Sequence, residues 1–196
     1  MCHFLRYRKS EFVTILTQNK TKENLIMKNS KNKQKIRFIV HAALIAAVYT
    51  VVSLIFAPTS IGPIQLRVSE ALCVLPYFTP AAIPGLFIGC IIANSFVSGM
   101  IWADIVFGSL ATLCASALSY LLRKFKWLVP LPAVILNALV VPLVLKFGYG
   151  FDDALWFMMI TVGLGQIGAC YCFGMPLMFA VDLSGVFSRK NKEENR

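Results

Sequence analysis

The chain has 196 residues, of which 58% are hydrophobic and 14% are charged, whereas ordinary soluble domains are roughly 45–50% apolar. Its formal net charge is +10, but the Lys and Arg residues lie in short segments that flank apolar stretches, where they act as topology signals. The composition therefore excludes an ordinary soluble domain, argues against nucleic-acid binding, and predicts an integral membrane protein.

The first 27 residues differ in kind from the rest. Residues 1–26 are polar and lack the apolar stretch of roughly 7–15 residues that a signal peptide needs. Met27 then opens a lead rich in Lys and Asn. We expect residues 1–27 to be a disordered leader or a segment absent from the native protein, followed by a membrane domain over 28–188 and a cytoplasmic tail over 189–196.

Six apolar stretches follow, bounded by Pro, Gly and charged residues. They cover 36–57, 66–79, 81–98, 103–123, 127–148 and 154–183, and a bilayer core needs about 20 helical residues to cross. The second stretch is short, so it is predicted to be broken, tilted or partly re-entrant. If it merged with the third, the count would fall to five.

The basic residues favour six spans over five. With six, the segments 28–37, 123–126 and 189–192 fall on the same side, which the positive-inside rule makes cytoplasmic. With five, the tail would lie opposite the lead. The predicted fold is therefore all-α, an integral six-helix bundle with both termini in the cytoplasm.

Small side chains form stripes on two of the predicted helices. Small residues let helices approach closely in lipid. The first helix carries Ala42, Ala43, Ala46 and Ala47, and the third carries Gly85, Gly89 and Ala93. Either stripe could serve packing within the molecule, and the first could equally dock a separate membrane subunit.

Polar side chains within the spans are candidates for function, because a charged one costs about 2.5–3.5 kcal/mol to insert. In the six-span arrangement they cluster toward the extracytoplasmic half. The candidate substrate-binding residues are these polar side chains together with the aromatic Trp102. They are Gln65, Arg67, Glu70, Asn94, Trp102, Asp104, Asn137 and Gln166. We predict a pocket open to the outside and gated by the loop 58–65, which contains Pro58, Gly62 and Pro63.

Each candidate also has a structural explanation. Arg67 and Glu70 could form a local ion pair, since they are three residues apart on a helix. Trp102 could be an interfacial anchor. Asn137 and Gln166 could hydrogen-bond between helices, because an amide in hydrocarbon needs a partner.

The sequence offers no recognisable enzyme site. His3 lies in the leader and His41 near the cytoplasmic end of the first span, so no His base is paired with a buried Ser, and metalloprotease and Walker motifs are absent. The six cysteines show no CxxC spacing and are interpreted as small hydrophobic residues. We therefore predict a protein that is not an enzyme and has no cofactor or metal.

Three segments carry a resemblance to a known family. Residues 62–94 (GPIQLRVSEALCVLPYFTPAAIPGLFIGCIIAN), 102–113 (WADIVFGSLATL) and 130–139 (PLPAVILNAL) resemble the motifs of the QueT family. The likeness extends from about Ile36 to Asp182. One departure is Gln166, where an acidic residue is expected, which puts a charged contact there in doubt.

The resemblance implies a function. QueT-family proteins are S components, the substrate-binding subunits of energy-coupling factor transporters, and the family implies uptake of queuosine precursors such as 7-deazaguanine bases across the bacterial cytoplasmic membrane. The implied partners are a transmembrane coupling subunit and two cytoplasmic ATPases. Docking through the first helix would match Ala42, Ala43, Ala46 and Ala47, and a gating loop would match residues 58–65.

The base that the resemblance implies has a guanine-like edge, which presents N–H donors beside a carbonyl acceptor. We expect Glu70 to accept from the donor edge, and Trp102 to stack on the ring. For an aminomethyl precursor, Asp104 is the nearest spare carboxylate. Alternatives are an S component for another vitamin or nucleobase, and a stand-alone secondary carrier or channel.

Overall fold

The computed structural model describes residues 2–60, 66–97, 102–148, 150 and 154–185. Within these ranges all regular secondary structure is helical. The principal helices, called first to sixth below, are Cys2–Ile55, Val68–Tyr77, Ala82–Val97, Asp104–Leu121, Leu131–Gly148 and Leu155–Ser184. The fourth opens with a π-helical segment, Asp104–Gly108, and the sixth contains another, Gly168–Gly174.

The six helices coincide with the six predicted spans to within a few residues, apart from the earlier start of the first helix and the later start of the fifth. Four stretches are long and apolar enough to cross a membrane: Asn29–Ile55, Asp104–Leu121, Lys126–Gly148 and Leu155–Ser184. The second and third helices are apolar but shorter. The prediction of an all-helical membrane protein is therefore confirmed for the described part of the chain.

The first helix begins within the predicted leader. Its backbone is helical from Cys2, whereas the sequence suggested disorder or a non-native segment. The chain divides into two compact units, Met1–Val40 and His41–Arg196, and the second contains all the other helices. Whether residues 1–27 belong to the native protein stays a prediction.

The second helix is a 3₁₀ helix rather than an α-helix. Its ten residues rise by about 2.0 Å each, giving a length of about 20 Å with three residues per turn. Seven of the ten are buried, so the helix runs through the interior of the bundle. The three-residue period places Glu70 and Cys73 on one face, and Arg67 is the residue that precedes the helix.

The first and third helices run parallel and touch at backbone distance. A Cβ built on Gly85 would lie 2.7 Å from the carbonyl oxygen of Ala42, and one on Gly89 would lie 2.9 Å from that of Ala46. The step of four residues from Ala42 to Ala46 on the first helix therefore matches the step from Gly85 to Gly89 on the third. Parallel first and third helices require a separate second helix running back between them, which favours six helices over five.

At one end of the bundle, the loop after the fourth helix meets the end of the sixth. Lys126 Nζ lies 2.9 Å from Asp182 Oδ2, and the Tyr171 hydroxyl donates to the Trp127 carbonyl oxygen at 3.1 Å. The basic segment 123–126 and the C-terminal end of the sixth helix therefore share one end, as the six-helix topology requires. The assignment of that end to the cytoplasm stays a prediction.

Candidate functional site

An ion pair is buried where the second and fourth helices begin. Arg67 Nη2 donates to both carboxylate oxygens of Asp104 at 3.1 Å. The two residues are only 9% and 3% exposed. Because Arg67 pairs with a residue on another helix, it ties the two helices together instead of forming a local pair with Glu70.

Asn94 and Gly108 pack against this ion pair. The Asn94 side-chain amide donates to the Asp104 carbonyl oxygen at 3.0 Å. A Cβ on Gly108 would lie 2.9 Å from Asn94 Nδ2 and 3.1 Å from Asp104 Oδ1. Gly108 therefore belongs here because any side chain would push Asn94 and Asp104 apart.

Glu70 lies deeper, fully buried, with both carboxylate oxygens held by neutral donors. The Tyr49 hydroxyl donates to Oε1 at 2.8 Å and the Cys73 thiol to Oε2 at 2.9 Å. Cys73 reaches Glu70 because residues three apart superimpose on a 3₁₀ helix. A carboxylate oxygen has further lone pairs, so Glu70 can still accept hydrogen bonds from a ligand.

Cys90 belongs to the hydrogen-bonded group around Asp104, because the Asn94 amide and the Thr112 hydroxyl approach its sulfur at 3.5 and 3.4 Å. It also packs in the same buried core as Tyr49 and Cys73, which hold Glu70. Side chains from the first four helices therefore form two hydrogen-bonded groups that pack together, called the polar cluster below. The polar cluster comprises Tyr49, Arg67, Glu70, Cys73, Cys90, Asn94, Asp104 and Thr112.

Two further buried amides lack partners for their N–H groups. Asn137 Nδ2 and Gln166 Nε2 have no hydrogen-bond partner among the described residues, and neither does the Ser109 hydroxyl. Gln166 is linked to Glu70 through the Cys170 thiol, which lies 3.8 Å from Gln166 Oε1 and 3.6 Å from the Glu70 carbonyl oxygen. Unpaired buried donors are costly, so these groups are suited to a ligand that supplies acceptors.

The register of the fifth and sixth helices places Asn137 and Gln166 at the same level. Val141 and Leu145 of the fifth helix cluster with Met158 and Val162 of the sixth, and the two helices are antiparallel neighbours. Asn137 lies one turn before Val141 on the fifth helix, and Gln166 lies one turn after Val162 on the sixth. A Cβ on Gly163 would lie 3.5 Å from that of Ala138, so the helices stay in contact at this level.

These groups have complementary chemistry. Glu70 accepts hydrogen bonds, and the unpartnered amide nitrogens of Asn137 and Gln166 donate them. A molecule that presents both donors and acceptors would match these groups chemically. In the described residues, no group of three or more His, Cys, Asp or Glu side chains could hold a metal.

The profile of the QueT transporter family matches residues 39–183. The chain belongs to the QueT transporter family. The match begins in the first helix and ends in the sixth, so it includes the whole polar cluster. This confirms the family resemblance seen in the sequence motifs.

A curated relative is the queuosine precursor transporter QueT of Lactococcus lactis subsp. cremoris (strain MG1363). It is 39% identical over 97 residues, which are 48% of this chain and 56% of that protein. The chain therefore matches only about half the length of this QueT relative. No solved structure matches the chain. The family and the relative are both named as transporters, which agrees with the prediction of a protein that is not an enzyme.

The structure brings four of the eight predicted site residues together. Arg67, Glu70, Asn94 and Asp104 share the polar cluster, Gln166 reaches it through the Cys170 thiol, and Asn137 is buried. Trp102 is not among them, because it is 71% exposed and its ring lies 6.4 Å from that of Phe107, as an interfacial anchor would.

Part of the predicted pocket falls beyond the described ranges. Gln65, Gly62 and Pro63 lie outside the residues that the structure describes. Pro58 is exposed, within a short 3₁₀ turn, Ala57–Ser60. The gating role of this loop therefore stays a prediction.

The predicted docking stripe is divided between two faces of the first helix. Ala42 and Ala46 are buried against Gly85 and Gly89 of the third helix, so they serve packing within the molecule. Ala43 and Ala47 are exposed. Only this second pair remains available to a partner.

Sequence reasoning missed the side chains that hold Glu70. Tyr49 was not singled out, and Cys73, Cys90 and Cys170 were interpreted as small hydrophobic residues, although all three thiols touch the polar cluster. Two signals were present: a single Tyr in an otherwise apolar span, and a Cys three residues after the only Glu in the membrane domain.

Proposed function

We propose that this chain is the substrate-binding S component of an energy-coupling factor importer, capturing a queuosine precursor, a 7-deazaguanine base, from outside the cell. The observation that carries the proposal is the fully buried carboxylate of Glu70, together with two buried amides, Asn137 and Gln166, whose nitrogens lack partners. Membership of a transporter family and a relative named as a queuosine precursor transporter supply the class of substrate.

The proposed recognition follows from donor and acceptor counts. The base would present its adjacent N–H groups to Glu70 and its carbonyl oxygen to the amides of Asn137 and Gln166. Both unpartnered nitrogens would then be satisfied on binding. Charge-assisted hydrogen bonds in a dry site are the stronger kind, which suits tight capture of a dilute solute.

Arg67 and Asp104 take a structural part in this proposal. Each already satisfies the other through two hydrogen bonds, so a cationic aminomethyl group would have to compete with Arg67 for the Asp104 carboxylate. The earlier hypothesis that Asp104 is a spare carboxylate does not fit that geometry. The ion pair instead holds the second helix, and with it Glu70, against the fourth.

Entry from the outside follows from the proposed topology. The cluster lies at the starts of the second and fourth helices and near the end of the third, opposite the basic loop 123–126. If that loop is cytoplasmic, the site faces the outside, and the loop 58–65 is its proposed gate. A transmembrane coupling subunit would dock on the exposed side of the first helix at Ala43 and Ala47, and two ATPase subunits would supply the energy.

Ligand binding to the purified full chain in detergent tests the proposal. Wild type should bind a 7-deazaguanine base saturably, and Glu70→Gln, which replaces an acceptor by a donor at the base's N–H edge, should lose binding. Asp182→Asn is the matched control, since Asp182 is an exposed carboxylate at the other end of the bundle. Equal binding by wild type and Glu70→Gln would contradict the proposed site.

Reconstitution separates capture from transport. In liposomes the chain alone should bind the base without accumulating it, and accumulation should require the coupling and ATPase subunits. Accumulation by the chain alone would instead indicate a stand-alone carrier, and binding of a different vitamin or nucleobase in place of the deazaguanine would change the substrate.

A further inference from the structure

Tyr49 is the residue that joins the first helix to the proposed ligand carboxylate. It is 1% exposed, and its hydroxyl donates to Glu70 Oε1 at 2.8 Å. Glu70 and Cys73 lie on one 3₁₀ helix, so the Tyr49 bond is the contact that fixes the carboxylate relative to a different helix. A carboxylate held in place loses less freedom when a ligand binds, which favours affinity.

The position of Tyr49 depends on close packing between the first and third helices. A Cβ on Gly89 would lie 2.9 Å from both the Ala46 carbonyl oxygen and Tyr49 Cβ. The Thr50 hydroxyl also approaches the Gly89 carbonyl oxygen at 3.3 Å. Gly89 therefore sets how far the Tyr49 hydroxyl reaches toward Glu70, because real Cβ atoms do not tolerate contacts that short.

We propose that Tyr49 is a positioning residue for the substrate site, and that the seating of the first helix on Gly89 controls ligand affinity through the bond from Tyr49 to Glu70. This inference rests on the proposed function, in which Glu70 contacts the ligand. Neither Tyr49 nor Gly89 needs to touch the ligand. The first helix is then a mechanical control on the site, since moving it away from the third helix withdraws the Tyr49 hydroxyl.

The first test compares Tyr49→Phe with wild type for binding of a 7-deazaguanine base by the purified full chain. We expect roughly tenfold weaker binding, the scale of one hydrogen bond to a charged group. Tyr171→Phe is the matched control, because Tyr171 loses an equivalent hydroxyl at the opposite end of the bundle and should bind as wild type does. Tyr49→Phe affinity equal to or tighter than wild type would overturn the proposal.

The second test moves the helix without touching Tyr49. Gly89→Ala should weaken binding by a similar factor, and Gly89→Ala combined with Tyr49→Phe should bind no more weakly than either alone, because both act through one hydrogen bond. Gly163→Ala is the control, since its methyl would make only an ordinary 3.5 Å contact. Additive losses would show that the two residues act separately and would overturn the proposal.

Glu70→Gln distinguishes this inference from the proposed function. If Glu70→Gln loses binding while Tyr49→Phe and Gly89→Ala keep it, the inference fails and the proposed function stands. If Glu70→Gln binds as wild type does, the proposed site itself fails. Should Tyr49→Phe not purify as a folded protein, the affinity of Gly89→Ala alone decides, with unchanged binding counting against the proposal.

Discussion

The buried ion pair between Arg67 and Asp104 should contribute far more to stability than the exposed pair between Lys126 and Asp182. The side chains of the first pair are 10% and 4% exposed, and those of the second are 42% and 45% exposed. Removing one partner of a buried pair costs about 3–5 kcal/mol, because it leaves an uncompensated charge. Exposed pairs contribute roughly 0–1 kcal/mol.

Asp104→Asn and Asp182→Asn give a matched comparison, because each removes one carboxylate charge and keeps the side-chain size. For a chain of this length, 1 kcal/mol shifts the melting temperature by about 2–4 °C. We therefore expect Asp104→Asn to melt about 6–20 °C below wild type, and Asp182→Asn to melt within about 4 °C of it.

Thermal unfolding in detergent can be followed with a thiol-reactive fluorophore, because Cys73, Cys90 and Cys170 are buried and become reactive on unfolding. Arg67→Gln with Asp104→Asn should recover part of the loss, since the double variant leaves no unpaired charge. Equal shifts in melting temperature for Asp104→Asn and Asp182→Asn would refute the reasoning. A double variant that is less stable than the sum of the two single losses predicts would also refute it.

Three further changes test the site from other directions. Gly108→Ala should lower the melting temperature by several degrees, because overpacking costs about 1–3 kcal/mol and the methyl would lie 2.9 Å from the Asn94 amide. Thermal unfolding checks this with Gly163→Ala as the control, and equal melting temperatures for the two variants would contradict it. Asn137→Leu and Gln166→Leu should each leave the melting temperature unchanged or raise it, since they remove unsatisfied buried donors. Each should still weaken base binding at least about tenfold, because one hydrogen bond to the base is lost. A marked loss of stability would indicate that the amides have structural partners. Trp102→Leu should bind the base within about twofold of wild type in the same assay, because the ring is exposed and apart from the cluster; a large loss would restore a stacking role.

The outline of the fold followed from the sequence because the membrane imposes it. Lengths of apolar sequence and the placement of basic residues are constrained by the bilayer, and the predicted spans match the helices closely. The 3₁₀ form of the second helix was not predictable from hydropathy. It is the feature that aligns Glu70 with Cys73.

The site was predicted in part, for the same physical reason. Charged and amide residues in hydrocarbon need a function or a partner, and that rule found Arg67, Glu70, Asn94 and Asp104. It could not find Tyr49 or Cys73, because their apolar bodies make them ordinary residues in a span and only the fold shows their donors facing Glu70. Nor could it show that Trp102 faces outward, since an aromatic residue at a helix start suits an anchor and a stacking platform equally.

Titration of the purified wild-type chain and of Glu70→Gln with a 7-deazaguanine base tests the central claim most directly. We predict saturable binding at one site per wild-type chain and no measurable binding by Glu70→Gln at the same concentrations, with Asp182→Asn indistinguishable from wild type. Binding that survives in Glu70→Gln, or no binding by the folded wild type, would contradict the account.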